Sequence, residues 1–332
     1  LPIFHTTKKW TSVGSNFSGS WTLSNTGGRG GRGALTTPGT YTATKGAIIN
    51  LSRSMSVAYV DDHIRVNVVA PGFVTTQMVE SVLLPRDGLC VSTQVGCAVG
   101  CVFCMTGKEG LIRQVGSAEI VAQVALARTR RPVKKVVFMG MGEPSHNLDN
   151  VLEAIDLLGT VGNIGHKNLV FSTVGDPRVF ERLPQGRVKP ALAVSLHTTK
   201  PELRAQLLPR APRMDPEDLV DMAERYARAT GYPIQYQWTL IEGVNDSPEE
   251  LDGIVRLLKG KYALMNMIPY NAVEALPYAR PSWEKAAEIA RILHRQGILT
   301  KLRHSAGQDV DGGCGQLRAR AEAPVRVHRR TP

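Results

Sequence analysis

Cysteine is scarce in this chain of 332 residues, which has five, and aromatic residues make up only 6% of it. So few cysteines, and an odd number, exclude the closed disulfide framework that staples small secreted domains. No run approaches the roughly 18 consecutive apolar residues of a membrane span. The N-terminus has no charged segment leading into an apolar core, so a secretory leader is not expected. The expected setting is the cytoplasm, with no membrane partner and a monomeric chain. Acidic groups are also in the minority, 29 against 40 basic ones, for a formal charge of +11. Residues 1–79 carry seven basic and two acidic groups, whereas the remainder carries thirty-three and twenty-seven. The most concentrated positive stretch is the tail at Arg318, Arg320, Arg326, Arg329 and Arg330. Such a balance suits a polyanionic partner. The 42% hydrophobic content permits a sizeable core in one large domain or two ordinary ones.

What is present falls into two unlike parts. The chain begins at Leu1 rather than Met, which leads us to expect a fragment or a processed product. Residues 13–40, with "TGGRGGRGALTTPG", read as loop. A helical apolar pattern then runs to Tyr59, followed by a strand "IRVNVVA" and a turn at Pro71 and Gly72. Tyr41 and Lys45 lie four apart and share a helix face. An ammonium beside a phenol favours the phenolate, which suits proton transfer to a carbonyl. A dinucleotide site would also need a strand and a glycine-rich turn upstream, and neither is there.

From about Val79, strands and helices alternate. The pattern predicts strands near 89–94, 135–139, 168–173, 190–195, 234–240, 262–268 and 298–303. Helices are predicted near 117–128, 149–160, 200–207, 216–229, 248–259 and 282–296. Such alternation implies an α/β fold with a parallel sheet, and about six units imply a partial barrel of the TIM type. Gly142, Glu143, Ser172, Ser195, His197 and Asn271 all fall at the carboxyl ends of these strands, where a barrel keeps its chemistry.

"GCAVGCVFCMTG", residues 96–107, crowds Cys97, Cys101 and Cys104 into a C-x3-C-x2-C array. A structural zinc normally takes four protein ligands, usually in two separated pairs, and no second Cys-x2-Cys exists here. An iron–sulfur cluster of four irons held by three cysteines leaves one iron open to a small molecule. The array is expected to follow a barrel strand directly.

The array, the barrel pattern and "MGMGEP" resemble the radical S-adenosylmethionine enzymes. More closely, "VESVLLPRDGLCVSTQVGCAVGCVFCMTG", "VVFMGMGEPSHNLDNV", "FSTVG", "LAVSLHTT", "LIEGVNDS", "NMIPYN" and "GQDVDGGCGQL" resemble, in order, the RlmN/Cfr family of RNA adenine methyltransferases. The resemblance runs from Glu80 to about Leu317. It implies a (β/α)6 radical S-adenosylmethionine barrel over 79–317, with 318–332 as a basic tail. It further implies a [4Fe-4S] cluster on Cys97, Cys101 and Cys104. S-adenosylmethionine would be bound by Gly142, Glu143, Ser172, Ser195, Leu196, His197 and Asn271. By the same resemblance Cys314 is the methyl-carrying cysteine, Cys90 the partner that later closes a disulfide with it, and Glu80 the proton acceptor. Asn245, Asp309 and Asp311 lie in matching motifs and are read as shaping loops. The implied reaction is methylation at C2 of an adenine in 23S rRNA and also in tRNA, with a cellular one-electron donor; methylation at C8 is the near alternative.

Residues 1–78 resemble instead the later half of a short-chain dehydrogenase, an incomplete Rossmann-like piece standing where the RNA methyltransferases usually carry a helical domain. The changeover falls in "TTQMVESV". This segment is expected to be non-functional, the product of a joining artefact or a truncated gene model, with a real fusion as the alternative, and Ile48, Ile49 and Val68 are expected to be poorly covered. The competing functions are an NAD(P)-dependent reductase built on Tyr41 and Lys45, and an inert chimera that binds RNA weakly without turnover.

Overall fold

The computed structural model describes residues 79–273, 276–305 and 312–318. Contacts divide the chain into two units, Leu1–Val74 and Thr75–Pro332, and every described residue lies in the second. Tyr41, Lys45, Pro71, Gly72, the surface expected at Ile48, Ile49 and Val68, and the loop residues Asp309 and Asp311 lie outside the described residues.

Two short strands, β1 (Val82–Leu84) and β2 (Gly88–Cys90), are followed by β3 (Gln94–Gly96) and β4 (Leu111–Gln114). Alternation then sets in with α1 (Ser117–Arg128), β5 (Lys135–Phe138), α2 (Leu148–Gly159), β6 (Leu169–Thr173) and α3 (Pro177–Arg182). It continues through β7 (Ala191–Ser195), α4 (Pro201–Leu207), α5 (Pro216–Thr230) and β8 (Ile234–Leu240). The last elements are α6 (Pro248–Leu258), β9 (Ala263–Pro269), α7 (Trp283–Arg295) and β10 (Thr300–Leu302). Local chemistry sets many of these limits. Asp215 accepts from the Glu217 N–H at 2.8 Å and Pro216 opens α5, which ends at Gly231 in the left-handed region, φ 72°. Asp176 and Ser282 cap α3 and α7 in the same way.

Eight strands form one curled sheet in the order β1-β2-β5-β6-β7-β8-β9-β10. In this sheet only β1 runs antiparallel to its neighbour; β2, β5, β6, β7, β8, β9 and β10 are parallel. This is the partial barrel that the alternation implied, six strand–helix units with β10 added. Because side chains alternate across a strand, Val136 and Phe138, Leu169 and Phe171, Leu192 and Val194, and Tyr236 and Trp238 enter the core between sheet and helices. Their neighbours Val137, Val170, Ala191 and Ala193 face the concave side with Cys90.

One expectation needs correction. The strand predicted near 89–94 is two pieces. Backbone pairing with the second parallel strand continues to Val91, whose N–H donates to the Val137 carbonyl at 2.9 Å. The chain then leaves the sheet, and β3 pairs with β4 in a separate antiparallel ribbon with a register shift between Val95 and Gly96. Gly96 has φ 76°, and a Cβ there would lie 2.1 Å from the Gly110 carbonyl oxygen, so only glycine permits this close return. The cysteine array therefore springs from the tip of a ribbon, not from a barrel strand. No described helix is long and apolar enough to cross a membrane.

Candidate active site

The loop that follows β3 is tied down at both ends. The Cys97 N–H donates to the Gly110 carbonyl at 2.9 Å, the Val102 N–H to Leu207 at 3.1 Å, and the Cys104 N–H back to Cys101 at 3.0 Å. A Cβ on Gly107 would lie 2.7 Å from the Gly100 Cα, so the loop folds tightly on itself. Cys97, Cys101 and Cys104 pack with Val99, Phe103, Val174, Leu207 and Tyr270 in one apolar cluster at the carboxyl edge of the sheet.

Electrostatics couples the three thiols. Burial pushes Cys97 up to about 12 and Cys101 well above its usual value, with the charges of the other two cysteines and of Glu143 adding to the Cys101 shift. Cys104 is raised as well, chiefly by burial. Buried thiols so placed stay protonated until a cation arrives to compensate them. Among the described residues no three of His, Cys, Asp and Glu converge closely enough to hold a single metal ion. A polynuclear cluster, in which each thiolate binds its own iron, does not require that convergence, so the donor set fits such a cluster.

Glu143 follows β5 and is 5% exposed. Its carboxylate accepts from the Ser145 N–H at 3.2 Å and the Val174 N–H at 3.1 Å. Burial nevertheless holds it near 7, outweighing those hydrogen bonds. Gly142 before it has φ 102°, and a Cβ would meet Gln94 at 2.6 Å. Asn271, after β9, donates to the Cys314 carbonyl at 2.8 Å and the Ser305 hydroxyl at 2.9 Å, while its Oδ1 is buried without a partner.

His197 sits after β7 with φ 61°. Its Nδ1 accepts from the Thr239 N–H at 3.0 Å, which leaves the proton on Nε2. The ring meets Phe103 edge-on, centroids 4.9 Å apart, and burial lowers its basicity to about 3, so it is neutral. Asn245 secures this turn by donating to the carbonyls of His197 at 2.7 Å and Thr239 at 2.8 Å, the loop-shaping role read from its motif. Leu196 is fully buried on the helix side, so only its backbone can face the site. Ser172 and Ser195 are half-buried at their strand ends, and the Ser195 carbonyl already accepts from Arg204 at 3.2 Å.

Cys314 is exposed, and its segment docks on the cysteine loop: the Met105 N–H donates to the Gly315 carbonyl at 2.8 Å, and the Thr106 hydroxyl to Leu317 at 2.6 Å. Cys90, Cys104 and Cys314 line one cavity of about 1070 Å³ on the concave side of the sheet. Burial pushes Cys90 up to about 12, with Cys314 adding to the shift, and both are free thiols. Of the predicted residues, only Cys90, Cys104 and Cys314 line this cavity; Cys97, Cys101, Gly142, Glu143, Ser172, Ser195, Leu196, His197 and Asn271 do not. Glu80 does not line it either; it precedes β1, and its carbonyl accepts from the Ser92 hydroxyl.

One residue escaped the sequence reading. Arg204 in α4 is 3% exposed, donates to the Val174 and Ser195 carbonyls, and feels the charges of Cys101 and Glu143. Burial lowers it to about 10, and its Nε has no partner. The available signal was an arginine inside the apolar run Leu203, Leu207, Leu208, where a surface helix would place another aliphatic residue.

Residues 91–258 match the profile of the radical SAM superfamily, and residues 20–89 match that of an enoyl-(acyl carrier protein) reductase. A probable RNA methyltransferase of Leptothrix cholodnii is 82% identical over 248 residues, which cover 75% of this chain and 72% of that protein. One from Methylibium petroleiphilum is 81% identical over 245 residues, 74% of this chain and 70% of that one. The crystal structure of a radical SAM methyltransferase from Sphaerobacter thermophilus superposes with a TM-score of 0.69 at 37% identity, covering 74% of each chain.

Proposed function

The chain belongs to the radical SAM superfamily and, within it, to the RNA methyltransferases, and from that premise we propose that it methylates C2 of an adenine in 23S rRNA, and in tRNA, as a monomer through a methyl group carried on Cys314. The observation that supports this reading is the meeting of Cys314, Cys90 and Cys104 on one cavity, an exposed thiol beside a buried one and beside the cysteine array.

A [4Fe-4S] cluster on Cys97, Cys101 and Cys104, together with S-adenosylmethionine, supplies when bound a methyl group and a hydrogen-abstracting carbon radical. The chain's own residues do the rest. Glu143 receives the ammonium group of the methionine part, and Asn271 offers its unpartnered Oδ1 while holding the Cys314 backbone in place. Gly142, Ser172, Ser195, the backbone at Leu196, and His197 frame the remainder. An adenine ring carbon is not a nucleophile, which is why a thiolate is needed: Cys314 takes up the methyl group by displacement and presents it to the base. Glu80 is assigned the ring proton by its motif position. Cys90, as a thiolate, then attacks the Cys314 sulfur: the S–S bond forms as the bond from that sulfur to the transferred carbon breaks, and the carbon takes up a proton to become the methyl group of the released base; a cellular one-electron donor would reduce the cluster.

The test is anaerobic reconstitution of the cluster, followed by incubation with methyl-labelled S-adenosylmethionine, a reductant and 23S rRNA or tRNA fragments, and identification of the labelled nucleoside. We expect 2-methyladenosine from the wild type and none from Cys314→Ala or Cys101→Ala, with Cys314→Ala keeping its iron and Cys101→Ala losing it. Formation of 8-methyladenosine would move the activity to the other ring carbon. No labelled nucleoside from a fully loaded wild type would refute the proposal.

A further inference from the structure

The cavity that holds Cys90 and Cys314 is also lined by Lys135, at the start of β5, and by Lys301 and Arg303, in and just after β10. These cations come from strands far apart in the sheet order, and the curl of the sheet brings them to one open cavity, where Lys135 and Lys301 are exposed and Arg303 is half-buried. They face one another: Lys135 is lowered by burial and then by the charges of Arg303 and Lys301, and Arg303 also acts on Cys90. Lys135 pairs in register with Gly88 and Val137 with Cys90, so the lysine lies one same-face position below the thiol, roughly 7 Å along the strand. Among the described lining residues Asp87 is the one carboxylate, and its Oδ2 lies 3.5 Å from Lys134 Nζ. Three like charges gathered in a concave space repel one another, and an anion between them relieves that repulsion.

We propose that Lys135, Lys301 and Arg303 form a phosphate-binding site that holds a backbone phosphate of the RNA beside the nucleotide presented to Cys314. The inference rests on the RNA methyltransferase reading and adds to it the place where the strand is gripped inside the barrel. A cavity of about 1070 Å³ accommodates a nucleotide with an adjoining phosphate rather than an ion alone. The cations fix where the backbone runs and carry no base preference, whereas the cysteines lie where the base would enter.

The test is a binding cycle on the cluster-reconstituted full chain, using an adenosine-containing single-stranded RNA with either ordinary phosphates or neutral methylphosphonates flanking the adenosine. Neutral linkages should weaken wild-type binding about tenfold and binding by Lys135→Gln/Lys301→Gln less than about twofold, with the salt slope of the double variant flatter by about 0.7, the share of one phosphate. Equal sensitivity of the two proteins to the neutral linkages would overturn the site. So would displacement of the RNA by inorganic phosphate at micromolar concentration, since the ligand would then be the free ion. The methylation assay separates the two readings. A wild type that methylates no RNA yet shows the phosphate-dependent difference keeps this site and loses the reaction, and methylation without that difference does the reverse.

Discussion

On the helix side of the sheet, Leu89, Val136, Phe138, Phe171, Leu192 and Trp238 are closed off from solvent by the surrounding helices. On the concave side, the adjacent residues of the same strands are Cys90, Lys135, Val137, Ala191, Ala193 and Gln235, and there the sheet encloses a cavity. Both faces share one backbone ladder. Large apolar side chains on one face supply the free energy of folding, which leaves the other free to carry small, polar and charged groups. In this molecule stability and chemistry are therefore separated by one residue along each strand.

The sharpest way to break that division is to truncate one residue on each face of β8. Trp238→Ala should cost about 3–5 kcal/mol in urea unfolding, because it empties a fully buried site. Gln235→Ala, facing the cavity, should stay within about 0.5 kcal/mol. Comparable losses would mean that the concave face also holds the fold together.

Arg204 tests the boundary between the faces, since it is a buried cation that serves the site edge. Arg204→Met should destabilise the fold by about 1–3 kcal/mol, because the Val174 and Ser195 carbonyls lose their donor. It should also weaken iron retention by the cysteine loop, read as the iron-to-protein ratio after gel filtration. Arg204→Met with unchanged melting and unchanged iron content would reduce the residue to packing.

The last comparison is one of pH. His197 is held neutral, near 3, whereas an unfolded histidine titrates near 6.5. Unfolding then takes up a proton between those values, so stability falls as pH drops from about 6.5 toward 3 and levels off below. In His197→Gln the urea midpoint should fall less between pH 7 and pH 4.5 than in the wild type. Parallel profiles would show that the imidazole is protonated in the folded state.

Much of this was readable along the chain. The helix predicted over 117–128 is α1 residue for residue, a segment rich in the helix formers Ala, Glu, Gln and Leu, and the strand over 234–240 coincides with β8, whose apolar and polar residues alternate. The segments missed were short. β1 and the six-residue α3 contain too few residues to express a period, and the break between β2 and β3 depends on a return to Gly110 that no local signal announces. At the site, the C-x3-C-x2-C spacing located the thiols. Leu196, in contrast, was assigned by motif position, and its side chain proves to belong to the helix-side core.

The sequence by itself determined the order of elements, the cysteine array and the family, because these rest on spacing along the chain. Which residues share a space was decided only by the tertiary structure. The docking of Cys314 against the loop of Cys104, the burial of Arg204 beside Cys101, and the gathering of Lys135 with Lys301 and Arg303 join residues about 100 or more positions apart, or, for Arg204, separate elements. Their proximity follows from the curl of a twisted parallel sheet, a property of all its strands together and of no segment alone.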